Sequence, residues 1–471
     1  LMRKLLKYTA LLFILVIGYL GYTNFQKFII ISGLSAKWVA SGIFVAERTQ
    51  WSIEESDSDF SPITWAKNEV DLHDKSVSTS VFGLQERKAI YRKGLGTVVT
   101  NDGFDADIPY LSPNRQRVSN NLEFPYGDLP QKDTIFSNVN YDDLEKVVVD
   151  YFNENDKTNT TRSLLIVYRN QIIAEKYADG FDKDSKMLGW SMSKSILSAL
   201  YGVMEQQGRI GKDDFAPIES WKNDGRSKIT INNLLQMNSG LEWEEDYTKI
   251  CDVTEMLYVA SDMTKTQLKK PLIGKSNETW NYSSGTTNLL SGILRQQLKS
   301  HQEYLDFWYA ELIDKIGMNS MVLEADLAGN YVASSYAWAN TRDWAKFGLL
   351  YLNKGNWNGK QILSEDWVKY TATPTNGSKG IYGAQFWLNA GGHLIDVPKD
   401  MYMASGYQGQ YVFIIPSKEL VIVRMGVNYN NTKELLKKRP VKENEIEAVV
   451  EFELKNKANN ILLAQILSTL N

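Results

Sequence analysis

The sequence predicts an α+β fold, an α/β sandwich in which an antiparallel sheet is flanked by helices and carries an inserted, mainly helical lobe. Three observations predict it. Two β-rich hairpins stand far apart, residues 163–168 with 172–177 (SLLIVY, IIAEKY) and 411–416 with 420–427 (YVFIIP, LVIVRMGV). The long stretch between them is dominated by helical periodicity. An apolar helix, residues 446–470, closes the chain. Strands, a helical middle, strands again and a last helix place both ends of the domain in one sheet.

Each element has its own signal. Arg169-Asn170-Gln171 separates the first pair of runs and Ser417-Lys418-Glu419 the second, so each reads as a hairpin. Residues 142–153 repeat with helical period ahead of the first strand. At the start of the chain, Arg3, Lys4 and Lys7 precede residues 8–22 (YTALLFILVIGYLGY), a run of 15 without a charge. That is short for a helix crossing a ~30 Å hydrocarbon layer and near the upper length of a signal-peptide core. No small-x-small cleavage site follows, so an uncleaved anchor is expected, with a cleaved signal or a buried helix as the alternatives. The basic flank would stay in the cytoplasm and the rest would be exported. A helix is expected over 35–46. Residues 77–99 alternate and turn through Gly83, Gly94 and Gly96. Residues 101–131, rich in Asn, Asp and Pro, read as an extended connection. The expected organisation is an anchor at 1–24, an N-terminal extension at 25–131 packing on the main body, and a main domain at 132–471.

Composition excludes several function classes. A net charge of −4, from 52 basic and 56 acidic residues, gives no cationic footprint for nucleic acid. A lone cysteine, Cys251, excludes an internal disulfide and a cysteine-based metal cluster. His73, His301 and His393 are the only histidines, and no H-E-x-x-H spacing occurs. Neither a metal nor a cofactor is expected.

The chemistry-bearing residues fall in three places. Ser191-Met192-Ser193-Lys194 is the only S-x-x-K in the chain. On a helix this spacing puts a hydroxyl and an amine on one face, where the amine can take the proton as the oxygen attacks a carbonyl. Gly189-Trp190 precede the serine and an apolar helix follows, so the serine amide lies at the positive end of a helix dipole. Tyr282-Ser283-Ser284 comes next, on a loop before a buried helix; alone it also reads as a helix N-cap. The third place is Ala404-Ser405-Gly406-Tyr407-Gln408-Gly409-Gln410, where two glycines allow close backbone approach.

The order SMSK, YSS, then a Ser-Gly-bearing strand resembles the serine β-lactamase/penicillin-binding (DD-peptidase) superfamily. Flanking segments extend the likeness over roughly residues 135–430, among them ITINNLLQMNSGLEW, IGMNSMVLEAD and ANTRDWAKFGLLYLNKGNWNGKQILSEDWV. It looks most like the class C-like β-lactamase-related hydrolases, and within them the 6-aminohexanoate-dimer (nylon-oligomer) hydrolases. The resemblance implies a β-lactamase/DD-peptidase-like fold and a serine hydrolase acting on a small ester, amide or peptide. It makes Ser191 the acylated nucleophile, Lys194 its general base and Tyr282 the proton shuttle to the leaving group. The amides of Ser191 and Tyr407 would form the oxyanion hole, with Ser284, Ser405 and Gly406 binding substrate. Ala404 departs from the pattern, standing where relatives carry a cation for the substrate carboxylate. That points away from penicillins and toward esters or unactivated amides.

Two other functions fit parts of the sequence. A Ser-His-Asp hydrolase would need G-x-S-x-G, which is absent, and His393, which is expected on an exposed loop. A membrane-anchored sensor of penicillin-like compounds would keep Ser191 acylated with little turnover. The expected location is the cell membrane, with the catalytic domain on the extracytoplasmic side.

Overall fold

The computed structural model describes residues 2–101, 104, 108–127, 129–155, 159–429, 436–439, 441–442 and 446–470. These form two compact units. The smaller comprises Leu1–Arg92, Thr97–Ile108 and Glu244–Ser261, and the larger Lys93–Gly96, Pro109–Trp243 and Asp262–Asn471.

In the smaller unit one helix, α1 (Met2–Phe44), takes in both the expected anchor and the expected helix at 35–46. The two are continuous, and no proline lies between them. Burial divides it. The described side chains from Leu6 to Lys27 are exposed, including Leu12, Phe13 and Leu15, whereas Ala36, Val39 and Ala40 are fully buried. The buried part packs with Ile53, Val77 and Ala89 against a four-stranded sheet of β1 (Ala66–Asp71), β2 (Ser76–Val81), β3 (Leu84–Arg92) and β4 (Gly96–Val99). Lys37, buried on this helix, donates to the Thr97 carbonyl at 2.6 Å and to its hydroxyl at 3.0 Å. Among the described residues one segment is long and apolar enough to cross a membrane, Phe25–Phe44, and 67% of it is buried inside the structure.

The larger unit is built on a six-stranded sheet with both faces covered. Helix α2 (Tyr141–Asn153), capped by the Asn140 side chain, leads into β5 (Asn159–Tyr168) and β6 (Gln171–Tyr177). Arg169 and Asn170 link them at φ 50 and 61, the left-handed pair that a tight two-residue hairpin requires. Three helices matter for the site: α3 (Ser193–Gln206), α4 (Ser284–Gln296) and α5 (Thr341–Leu352). The chain then returns to the sheet as β7 (Trp387–Leu388), β8 (Tyr402–Gly406), β9 (Gln410–Ile415) and β10 (Leu420–Asn428). The order is β7-β8-β9-β10-β5-β6 and every pairing is antiparallel. Strand β10, from the far end of the chain, lies beside β5, so the two expected hairpins meet in one sheet.

Period-two alternation explains the layering. On β5, Leu165 and Val167 face a core with Ile196, Leu197 and Leu200 of α3 and Phe347 of α5. Their neighbours Leu164 and Ile166 face a second core with Leu144 and Val148 of α2. The apolar C-terminal segment, expected as one helix, is two: α6 (Glu447–Lys455) and α7 (Lys457–Ser468). They break at Asn456, whose side chain donates to the Phe452 carbonyl at 2.9 Å and accepts from Asn459. Such local bonding competes with a continuing helix. The result is the α/β sandwich the sequence predicts, an antiparallel sheet between two helical layers.

Candidate active site

Ser191 is placed by a short strand and a tight turn rather than by a helix alone. Met187–Leu188 pairs with Ala337–Ala339, and the Gly189 amide donates to the Ala337 carbonyl at 2.8 Å. The chain then turns through one 3₁₀ turn, Trp190–Met192, before α3 begins at Ser193. Trp190 takes φ 48, a left-handed conformation unfavourable for a bulky side chain. The buried Ser193 hydroxyl fastens the turn: it donates to the Trp190 carbonyl at 2.6 Å and accepts from the Ala337 amide at 3.1 Å. Ser193 thereby serves the scaffold, whereas Ser191 is half-buried.

One turn further on, Lys194 is buried, and its Nζ lies 2.9 Å from the Ser191 Oγ. The same nitrogen donates to the Ser284 Oγ at 2.9 Å and to the Ser334 carbonyl at 2.9 Å. Ser284 is the first residue of α4, whose N-cap is Ser283, accepting from the Thr286 amide at 2.9 Å. The middle serine of the triplet caps the helix, and its last serine reaches the amine. Tyr282, just outside the cap, lays its ring 4.9 Å from Lys194 Nζ and packs against Tyr382 and Trp387 at 5.7 and 5.3 Å.

Strand β8 closes the other side. A Cβ on Gly406 would strike the Gly189 carbonyl oxygen, so glycine lets the end of β8 touch the turn that carries Ser191. Tyr407 follows, its ring at 5.5 Å and nearly perpendicular to that of Trp190. Burial pushes its phenol up to about 12, which keeps it neutral across the physiological range. Ser405 is half-buried on β8 opposite Tyr411 and enters the site only through its neighbour Gly406. Ala404 points the other way, fully buried in the core shared with α3.

Three contributors carried no sequence signal. Ser334 acts through its carbonyl, which any residue supplies. Its amide is held by Asn288 Oδ1 at 3.1 Å, from α4. Trp190 matters through its backbone angle. None of the histidines bonds Ser191 among the described residues. His73 meets Asp74, His301 the Gly329 carbonyl, and His393 the Lys379 carbonyl. His393, expected on an exposed loop, is half-buried. Among the described residues, Ser191 has no Ser-His-Asp geometry. Among the described residues there is also no group of three or more His, Cys, Asp or Glu placed to hold a metal.

With this arrangement in view, the β-lactamase family model matches residues 158–442, more than half of the chain. The protein belongs to the β-lactamase family. This family is one of hydrolases. An uncharacterised protein of Alkalihalophilus pseudofirmus is 25% identical over 56% of this β-lactamase-family chain and 82% of its own length. A 6-aminohexanoate-dimer hydrolase of Paenarthrobacter ureafaciens is 21% identical over 56% of this chain and 72% of its own. Among solved structures, a Bacillus anthracis protein provisionally assigned as a 6-aminohexanoate-dimer hydrolase superposes with a TM-score of 0.52 at 22% identity. It covers 68% of this chain and 82% of that one. EstCE1, a hydrolase with promiscuous acyltransferase activity, superposes at 0.51 and 12% identity, over 69% and 99%.

The contact between Gly406 and Gly189 gives a direct test of the geometry. Gly406→Ala must push β8 off the nucleophile turn, and a displacement of about 1 Å costs on the order of 100-fold in rate. We expect kcat for an ester substrate to fall by about that factor while the unfolding midpoint moves only slightly. Unchanged kcat would place the oxyanion site elsewhere.

Proposed function

We propose that this protein is a serine hydrolase that cleaves small uncharged esters or amides through an acyl-enzyme on Ser191. The observation that carries the reading is the 2.9 Å approach of Lys194 Nζ to Ser191 Oγ, with the amine also held by Ser284 and Ser334. Those three bonds go to neutral oxygens. With Lys194 unprotonated, its lone pair takes the Ser191 proton as Oγ bonds to the substrate carbonyl carbon. The carbonyl π pair moves onto oxygen, where the amides of Ser191 and Tyr407 stabilise it, helped by the positive end of α3. Collapse breaks the bond to the leaving group, which takes a proton relayed from Lys194 through Tyr282. Water then attacks the acyl-enzyme by the reverse path and frees the acid.

Uncharged substrates follow from Ala404, which is core rather than a cationic subsite. Two aromatic pairs accompany the site residues: Trp190, next to Ser191 in the chain, with Tyr407, and Tyr282, over Lys194, with Trp387. The 6-aminohexanoate-dimer hydrolase among the relatives supports an amide as a bond the site can cleave, and says nothing for an uncharged substrate, since that dimer is a zwitterion. A short-chain p-nitrophenyl ester is expected to be turned over at least ~10-fold faster than nitrocefin, and Ser191→Ala to abolish both. Nitrocefin hydrolysis rivalling ester hydrolysis would contradict the substrate class. Ester turnover surviving in Ser191→Ala would contradict the nucleophile.

We also propose that residues 8–22 hold the protein in the cell membrane with the catalytic unit outside the cytoplasm. Support comes from the exposed apolar side chains of this half of α1, Leu11, Leu12, Phe13 and Leu15 among them, and from the basic residues ahead of it. A reporter fused after residue 30 is expected to be active only when exported. Activity confined to the cytoplasm would overturn this topology.

A further inference from the structure

The turn that carries the proposed oxyanion amide of Tyr407 is short and conformationally demanding. Strand β8 ends at Gly406 and β9 begins at Gln410, so three residues make the link. Gln408 and Gly409 both take left-handed backbone angles, φ 59 and 83. An amide in such a turn binds an oxyanion well only if it is held still, because donors that reorganise lose much of their effect.

Two buried side chains do the holding. Gln410, 3% exposed, donates through Nε2 to the carbonyls of Tyr407 at 3.3 Å, Gln408 at 3.1 Å and Gly426 at 2.6 Å. Its Oε1 accepts from the Gly426 amide at 3.0 Å. The Tyr407 residue is thereby fixed from both sides, by the pairing of Gly406 with Gln410 and by the bond to its own carbonyl. Beneath the far end of the turn lies Arg424 of β10, 2% exposed. Its Nη1 donates to the Gly409 carbonyl at 2.6 Å, its Nη2 to Asn159 Oδ1 at 3.0 Å and Thr161 Oγ1 at 3.2 Å, and its Nε to Thr161 Oγ1 at 3.3 Å. It makes no ion pair among the described residues.

A buried guanidinium without a carboxylate is costly to keep. A Cβ on Gly409 would collide with Arg424 Nη1, whereas one on Gly426 would first meet the Thr160 carbonyl oxygen, with Arg424 Cζ next at 2.9 Å. The β10–β5 register also shifts between Met425 and Gly426, beside the guanidinium.

We infer that Arg424 is a positioning residue for the reaction: bound to Gly409 and flanked by Gln410, it fixes the turn so that the Tyr407 amide faces the acyl oxygen on Ser191. This rests on the hydrolase reading above. The test compares the full chain with Arg424→Met and Arg424→Lys, each normalised to active sites titrated with a fluorophosphonate. Steady-state kinetics with a p-nitrophenyl ester are read beside affinity for a phenylboronic acid, which forms a tetrahedral adduct on a nucleophilic serine. Deleting an oxyanion donor outright costs ~10²–10³ in kcat, so misplacing one is expected to cost about 10- to 100-fold. In Arg424→Met, kcat should fall by that factor with KM within about two-fold, and boronate affinity should fall in step with kcat/KM. Arg424→Lys, which restores one donor toward Gly409, should recover part of both. If Arg424→Met does not fold, Gln410→Leu carries the same comparison. Unchanged kcat and boronate affinity in a folded variant, or a rise in KM alone, would overturn the inference. A wild-type protein that neither hydrolyses the ester nor binds the boronate would instead overturn the hydrolase reading.

Discussion

Lys194 Nζ lies 2.9 Å from three oxygens that belong to three separate stretches of chain: the turn at Ser191, the start of α4 at Ser284 and the loop at Ser334. A buried amine has to satisfy its hydrogens, and here that requirement draws the segments together. Much of the surrounding structure follows from holding this convergence. Ser193 ties the nucleophile turn to Ala337, Asn288 ties the Ser334 amide to α4, and Ser283 caps that helix so that Ser284 is aimed inward. The turn accepts an unfavourable Trp190 angle to present Ser191, a strain kept in place by the packed elements around it.

The sheet supplies rigidity to the second half of the site. Its central strands alternate into two cores, so β8 cannot slide without moving side chains out of both layers. A glycine at 406 then lets a rigid strand end touch the Gly189 carbonyl, where any other residue would hold the two apart. The same face that makes β8 rigid absorbs Ala404 into the core.

What the sequence made legible was local. A hydroxyl and an amine three residues apart announce themselves because helical spacing alone puts them on one face. The hairpin at Arg169-Asn170 reads directly because its strands are adjacent in sequence. Ser334 and Arg424 were invisible for the opposite reason. Ser334 contributes a carbonyl, and Arg424 bonds the carbonyl of a turn from a neighbouring strand, leaving no spacing to recognise. The continuity of α1 from Met2 to Phe44 was also hidden, since its apolar character persists while its burial changes partway along. Burial depends on partners distant in sequence. The grouping of Glu244–Ser261 with the smaller unit has the same origin.

The central claim is that acyl transfer passes through the Ser191 oxygen. Rapid quenching of the enzyme within its first turnovers on a p-nitrophenyl ester, followed by peptide mass mapping, tests it most directly. The account predicts a burst of p-nitrophenol matched by an acyl mass increment on Ser191 alone, which then decays at the steady-state rate. A burst with the acyl group on Ser193 or Ser284, or turnover with no acylated peptide at any time, would contradict it.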